Sequence, residues 1–520
     1  MRGPSIARVS LALACMLGFT RCSEPAARPN VVIIALDTLR PDHLGCYGAQ
    51  RDTSPNLDAW AARSVVFENA QSAAPWTAPS LLSLMTSLYP SVHGVASFPE
   101  PGAMNERVTT LAEVLKAQGY ATAAFTDGGY AKPQFGLGQG FDIFPLNEGD
   151  LASHASNLQH PSRLAPNIDR TLRWIDEFAD GPFFLFFHTY EVHGPYAPPE
   201  ADIRHFRPDY DDAAEHRELE RVIVKWLGER EIDAAGLRLV LRHTEHCGAG
   251  LGPEKEGLPA KMAELGVTSL EPERMQFWRD LYDAEIRHTD RELARLLERL
   301  ERPDLRDDTL VVFVSDHGEG FGEHGLSGHG SALHDEALRV LLMVHKRDLG
   351  ARRVRDVVRS VDVMPTILDV VGVPRGALAL QGRSLAPLLA GRALALEPAF
   401  SHALSRNGQE SRLWSVREGR WRLVWDDQRS SGALYDLESD PLELADRSSD
   451  QREIAERMLG LLRAQRDLDA LFRERAAGPP QPYRFSAQEL AELKHLGYVD
   501  GPPALSGDKP LGLARPQLGP

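Results

Sequence analysis

Three features of the sequence predict an α/β protein, with a large, mostly parallel sheet sandwiched by helices and a small α+β subdomain at its carboxyl end. The runs NVVIIALD (30–37), PFFLFFHTY (182–190) and DTLVVFVSDHG (308–318) are apolar without alternation, the pattern of strands buried on both faces. Helical patterns lie between them, so strand and helix alternate as in an open sheet covered on both sides. From about Leu413 the texture changes to short strands and turns, which marks the second unit.

Taken in order, the first 22 residues carry Arg2 and Arg8, an apolar run from Val9 to Phe19, and then Cys22 among small and polar residues. That layout is a secretory signal, and the run is too short for a spanning helix. Cys22 is a candidate for lipid attachment and hence for a membrane tether, although Arg21 stands where a small residue is usual before such a cysteine. The expected location is the periplasm or cell envelope. Residues 28–400 form the expected catalytic domain, with a charged, helical insertion over 200–275 near the site entrance. RVTTLAEVLKAQGY (107–120) is a helix stopped by Gly119, and YDAEIRHTDRELARLLERL (282–300) is another. In the subdomain, assigned to 401–500, LWSVREGRWRLVW makes two strands about a Glu418-Gly419 turn, ALYDLESDPLEL adds a third, and a helix follows over 451–472. Residues 501–520 are rich in Pro and Gly and read as a disordered tail.

A net charge of −16, from 58 Lys and Arg against 74 Asp and Glu, would repel a nucleic-acid backbone and excludes that partner. It does not exclude an anionic substrate, because a bound cation dominates the field of its own site. Of four cysteines only Cys46 and Cys247 lie beyond the signal, so no disulfide framework holds the fold. The letters HTEHC (243–247) resemble a metal motif but stand alone in the insertion, and they read as a solvated helical face.

In open parallel sheets ligands bind beyond the carboxyl ends of the strands. All three runs end there in metal-capable residues: Asp37, then His188 and His193, then Asp316 and His317. Asp37 and Asp316 offer hard oxygens and His317 an imidazole, a set suited to a divalent ion with an open position. Thr77, in APWTAPSLLSLMTSLYPSVHG (74–94), precedes an apolar helix. It reads either as a helix cap or as a hydroxyl nucleophile whose proton a metal ion makes easier to lose. The helix opening at Pro79 and Ser80 would aim its amino-terminal dipole at the same anion.

The blocks NVVIIALDTLRPDHLGCYG, TSPNLDAWAARSVVFENA, TAPSLLSLMTSLYPSVHG, FFLFFHTYEVHGPYAPP, YDAEIRHTDRELARLL, VSDHGEGFGEHG and LYDLESDPLELADR resemble, in order, those of bacterial sulfatases within the alkaline phosphatase superfamily. The resemblance implies metal ligation by Asp37, Thr77, Asp316 and His317. It implies catalysis by Thr77 as nucleophile, with His193 and His329 contacting the bound anion. The departures point to a branch with threonine at the nucleophile position. Sulfatases resemble Cys-x-Pro-Ser-Arg there, with the cysteine oxidised to formylglycine; this chain has Thr77-Ala78-Pro79-Ser80-Leu81, and threonine has no route to that aldehyde. Thr38 stands in place of a second aspartate, His317 in place of a frequent asparagine and His329 in place of a frequent lysine, while TDGGYAKPQFG replaces the Gly-Lys-Trp-His block.

The two-metal members of that branch carry an acid four residues before the histidine at position 193, where this chain has Thr189. One divalent ion is therefore expected, Mn²⁺ or Zn²⁺ ahead of Ca²⁺ or Mg²⁺ because His317 donates nitrogen. A second ion could use His188 or Glu191 with His193 and His329. His324 and His334 read as loop-supporting residues. The expected function is an exported hydrolase that cleaves phosphate or sulfate esters, phosphorus preferred, through a covalent Thr77 intermediate. The substrate would be a small molecule, a glycan or a lipid head group. Two alternatives stand beside it: a phosphoryl transferase of envelope lipids or polymers, and a non-catalytic protein binding anionic glycans.

Overall fold

The computed structural model describes residues 28–96, 102–145, 163–194, 196–211, 272–395, 397–403, 413–478 and 486. The signal segment, residues 212–271 with the HTEHC stretch, and the carboxyl-terminal tail lie outside the described residues. Cys46 is a free thiol.

The strands, in chain order, are β1 (Asn30–Leu36), β2 (Val65–Gln71), β3 (Ala121–Phe125), β4 (Phe183–Thr189), β5 (Thr309–Ser315), the two-residue hairpin strands β6 (Gly320–Phe321) and β7 (Ser327–Gly328), β8 (Arg339–Val340), β9 (Leu342–His345) and β10 (Arg352–Arg359). The large sheet runs β10-β2-β9-β5-β1-β4-β3, with β8 pairing to β2 beside it. β1 is parallel to both β4 and β5, β3 to β4, and β10 to β2. The exceptions to the parallel order are β9, which runs antiparallel between β5 and β2, and the short β8.

The absence of alternation in β1 has a direct cause. Val31, Ile33 and Ala35 enter one core with Ala78, Leu81 and Met85 of the helix Thr77–Thr86. Val32, Ile34 and Leu36 enter the opposite core with Trp278, Leu281 and Tyr282 of the helix Pro272–Leu300. Both faces are covered, so every position is apolar, and each buried Val or Ile contributes about 1.5–3 kcal/mol. The helix expected from residue 282 begins ten positions earlier, because Met275, Trp278 and Leu281 continue its apolar stripe upstream. The helix expected over 107–120 is shorter, Leu111–Lys116; Thr110 caps it in a reciprocal bond with Glu113, and Gly119 follows at φ +87°.

A separate four-stranded antiparallel sheet contains β11 (Ala399–Ala403), β12 (Leu413–Glu418), β13 (Trp421–Asp426) and β14 (Ser431–Asp436) in that order. β12 and β13 turn at Gly419 and Arg420, one residue later than expected because Glu418 still pairs with Trp421, and Gly419 takes φ +58°. The helix Arg452–Phe472 lays Met458 and Leu462 on Val416, Leu423 and Leu434. β11 carries a polar Ser-His pair in five residues, too little apolar content to read as a strand, and it puts the start of this sheet before Leu413. No helix among the described residues is long and apolar enough to cross a membrane.

Candidate active site

Because β5, β1 and β4 are neighbours, their carboxyl ends converge. The register sets Leu36 opposite both Ser315 and Thr189, so Asp37, one residue further on, lies between His188 and Asp316. Its amide donates to the Thr189 carbonyl at 3.1 Å. Asp37, His188 and Asp316 are fully buried, and their candidate ligand atoms all lie within 4.8 Å of one another. The His317 Nε2 is 3.5 Å from Asp316 Oδ2 and 3.7 Å from Asp37 Oδ1. Its Nδ1 faces the Gly318 carbonyl at 2.9 Å. A carbonyl can only accept, so Nδ1 donates there and Nε2 is the ring atom turned toward the two aspartates.

Thr77 is the first residue of its helix; the cap position belongs to Trp76, which makes no side-chain capping bond. The reading of Thr77 as a cap is therefore set aside, and so is a helix start at Pro79. The Thr77 hydroxyl, 0% exposed, donates to Asp37 Oδ2 at 3.2 Å and lies 3.4 Å from His317 Nε2. Ser80, one turn on, donates to the Asp316 carbonyl at 2.5 Å and fixes the helix against the end of β5.

Burial is the first cause of the perturbed ionisation here. It pushes the Asp37 carboxyl well above its ordinary range, and the adjacent Asp316 charge pushes it further. Burial lowers His188 to about 4, so that ring is neutral and able to ligate. Asp37 Oδ1, Asp316 Oδ2 and both His188 nitrogens are buried without hydrogen-bond partners; His188 Nε2 lies 3.3 Å from Asp37 Oδ2, at ion-pair distance but outside hydrogen-bond geometry. Two buried carboxylates side by side with orphaned oxygens are costly unless a cation joins them, and oxygen and imidazole donors in this number suit a divalent metal. The chemistry of the set fits the expected ion.

Sequence reading underweighted His188, which it kept for a second metal. Counting by twos from Phe184 and Phe186, both in the core that holds the Thr77 helix, would have placed it on the same face. In the sequence Thr38 shows only as a residue in place of an aspartate. It sits at φ +55°, a strained conformation for a β-branched residue. Its amide donates to Asp316 Oδ1 at 3.2 Å, its hydroxyl to the Val192 carbonyl at 3.1 Å, and its carbonyl accepts from Tyr282 at 2.8 Å. Asp127, within the unassigned TDGG stretch, accepts from Thr189 Oγ1 at 2.6 Å and the Tyr190 amide at 2.8 Å, and burial lifts it to about 6.

His193 and His329 stand at the edge of this centre. The His329 ring packs between those of His317 and His193, at centroid distances of 4.6 and 4.9 Å, and its Nδ1 is 3.1 Å from Glu319 Oε1. His193 Nδ1 bonds the Gly194 carbonyl, and burial, then the nearby His329, hold its ring well below the ordinary imidazole range. A neutral ring whose Nδ1 is a donor has an acceptor at Nε2. His193 is thus held neutral, with Nε2 able to accept a hydrogen bond. All the residues expected at the site, Asp37, Thr77, His193, Asp316, His317 and His329, come together.

Comparison with known proteins agrees with this fold. The sulfatase family model matches residues 29–373, and the model described as N-sulphoglucosamine sulphohydrolase, C-terminal, matches residues 322–467. The chain belongs to the sulfatase family of ester-bond hydrolases. It is 23% identical over 448 residues to an uncharacterized sulfatase, YidJ, of Escherichia coli (strain K12), covering 80% of this chain and 82% of that one. Among solved structures, BT4656 in complex with D-glucosamine-2-N,6-O-disulfate superposes with TM-score 0.66 at 18% identity, covering 86% of this chain and 98% of that one. The phosphonate monoester hydrolase of Agrobacterium radiobacter gives TM-score 0.63 at 23% identity, covering 84% and 96%.

Proposed function

We propose that this protein hydrolyses monoanionic esters of sulfur or phosphorus, namely sulfate monoesters, phosphodiesters or phosphonate monoesters, through a covalent ester of unmodified Thr77. The observation that carries the reading is the buried Thr77 hydroxyl, 3.2 Å from Asp37 Oδ2 and 3.4 Å from His317 Nε2. The disulfated sugar bound by one structural relative and the phosphonate monoester cleaved by another support the substrate class. Threonine at position 77 removes the need for formylglycine.

Asp37, His188, Asp316 and His317 would hold one divalent ion, Mn²⁺ or Zn²⁺ ahead of Ca²⁺ or Mg²⁺ given the imidazole donors. When bound, that ion supplies Lewis-acid polarisation and eases deprotonation of a nearby hydroxyl. In the first step Thr77 Oγ1 forms a bond to sulfur or phosphorus, and the ester oxygen leaves with the electron pair of the broken bond. The Thr77 proton passes to Asp37 Oδ2, the acceptor it already faces. In the second step water attacks the same central atom, the bond to Thr77 Oγ1 breaks, and His193 Nε2 takes the water proton. Glu319 holds His329 against the substrate anion. The amino-terminal signal would deliver the enzyme to the envelope, with Cys22 as its tether.

Parallel assays of aryl sulfate, phosphate monoester, phosphodiester and phosphonate monoester test this reading. Turnover is expected on at least one monoanionic ester, and Thr77→Ala should reduce it at least about a thousandfold with metal content unchanged. Undiminished turnover by Thr77→Ala would overturn the reading.

A further inference from the structure

A second set of metal-capable side chains converges away from the catalytic centre: His324, His334 and Glu336. His324 lies in the turn between β6 and β7, and the other two lie at the start of the short helix Asp335–Leu338. The Nδ1 of His324 is 2.9 Å from Glu336 Oε1, and the Nδ1 of His334 is 3.9 Å from that same oxygen. The two rings stack with centroids 3.8 Å apart and planes inclined by 13°, so both Nδ1 edges face one carboxylate.

Two features of the rings bear on a cation. His324 Nε2 lies 3.1 Å from the Glu443 carbonyl. Both that oxygen and Glu336 Oε1 accept, so His324 donates from both ring nitrogens and pairs with Glu336; an ion on Nδ1 would replace that proton, and the backbone carbonyl behind the ring is the support that metal-binding histidines usually have. On the second ring, His334 Nδ1 is buried and has no hydrogen-bond partner, so its desolvation is uncompensated. His324 also holds φ +55°, and its two ring contacts fix it there.

We propose that His324, His334 and Glu336 form a second metal site, structural in role, for a first-row transition ion of the Zn²⁺ class. Two imidazole nitrogens and one carboxylate select such an ion over Ca²⁺ or Mg²⁺. In a tetrahedral shell with bonds of about 2.0–2.1 Å, ligand atoms stand roughly 3.3 Å apart. The 3.9 Å and 2.9 Å separations bracket that value, so a small rotation of each ring completes the set. The three side chains are 15%, 14% and 8% exposed, which leaves a solvent-side position for a fourth ligand. The site joins the loop that carries His329 to the carboxyl-terminal subdomain, through Glu443 and through Tyr435, whose ring meets His334 edge-on at 5.5 Å. An ion here would clamp the anion-binding loop to the second sheet.

The experiment is zinc loading of the full-length protein, removal of free zinc, and metal counting by mass spectrometry. The wild type should retain two ions per chain. His334→Ala and Glu336→Gln should each retain one, and Asp316→Asn, which empties the other centre, should also retain one. A wild-type ion count that neither His334→Ala nor Glu336→Gln lowers would overturn the proposal. The wild type alone gives a second readout that needs no variant. Bound zinc should slow modification of His324 and His334 by diethyl pyrocarbonate at least tenfold, read by peptide mass spectrometry. Equal modification with and without zinc, while the catalytic centre is loaded, would refute it. The two centres are counted separately, so a failure here leaves the Thr77 reading untouched.

Discussion

The strand-end centre and the seam between the large sheet and the carboxyl-terminal subdomain both bury charge, but they treat it in opposite ways. At the seam Arg422, 0% exposed, pairs with Asp335 and has its Nε 3.3 Å from Glu443 Oε1; Arg417 reaches Asp335 at 3.1 Å, and the Asp335 amide donates to Glu443 at 2.6 Å. Each buried charge there has an opposite partner, as a structural network requires. At the strand ends Asp37 and Asp316 face each other with only imidazoles and a hydroxyl for company, and one oxygen of each is orphaned. Pairing marks a joint, and its absence marks a place for a ligand. The His324, His334 and Glu336 set lies on the seam and pairs His324 with Glu336, yet it turns a second imidazole, His334, toward the same carboxylate without a bond of its own.

The contrast is broken most directly at Asp37. With metal bound, Asp37→Asn should lower turnover at least about a thousandfold, because a ligand and the acceptor of the Thr77 proton are lost together. Without metal the same change should stabilise the fold by about 1–3 kcal/mol in denaturant unfolding, since it removes one of two like charges buried side by side. A metal-free Asp37→Asn protein less stable than the metal-free wild type would mean that the pair is not repulsive. A smaller effect is expected at Glu319. Glu319→Gln should keep the bound metal but reduce kcat about 10- to 100-fold and shift the pH profile, because His329 loses the carboxylate that orients it. An unchanged pH profile would leave Glu319 a purely structural residue.

The smallest effect concerns His93 and His402, buried near the seam. Burial lowers both to about 3. The His93 Nδ1 accepts from the Val95 amide at 3.2 Å and its Nε2 lies 3.1 Å from Ser83 Oγ, a pattern that only the neutral ring satisfies. Their folded pKa values lie below the unfolded value of about 6.5. The stability they contribute is therefore full above about pH 6.5 and is lost as pH falls from there toward about 3. Each ring accounts for up to about 1.4 kcal/mol per pH unit in that window. Denaturant midpoints measured from pH 7 to pH 5 should fall less steeply in His402→Leu than in the wild type; parallel curves would exclude His402 from this role.

The sheet was legible because its central strands are buried on both faces, which forces unbroken apolar runs, and because polar residues at the ends of such runs have few reasons to be there. Asp37, Asp316 and His317 could be read in that way. Thr77 could be read only as either a cap or a nucleophile; the structure gives the cap position to Trp76 and sets the Thr77 hydroxyl 3.2 Å from Asp37 Oδ2. The place of His188 depended on which face of β4 it occupies and on β4 lying beside β1, a fact of pairing order. The neutral tautomer of His193 depends on burial and on one backbone carbonyl, which no residue pattern encodes. The meeting of His324 with Glu443 joins residues 119 positions apart across two sheets, and their spacing in the chain carries no sign of it.

The central claim is that Thr77 becomes covalently bound during turnover. Rapid acid quenching of the metal-loaded enzyme during steady turnover of a slow aryl ester, followed by peptide mass spectrometry, tests it most directly. The peptide containing Thr77 should carry one sulfate, phosphate or phosphonate group, and the label should vanish once substrate is exhausted. Continued turnover with Thr77 unlabelled, or a label on His193 or His317 instead, would contradict the account.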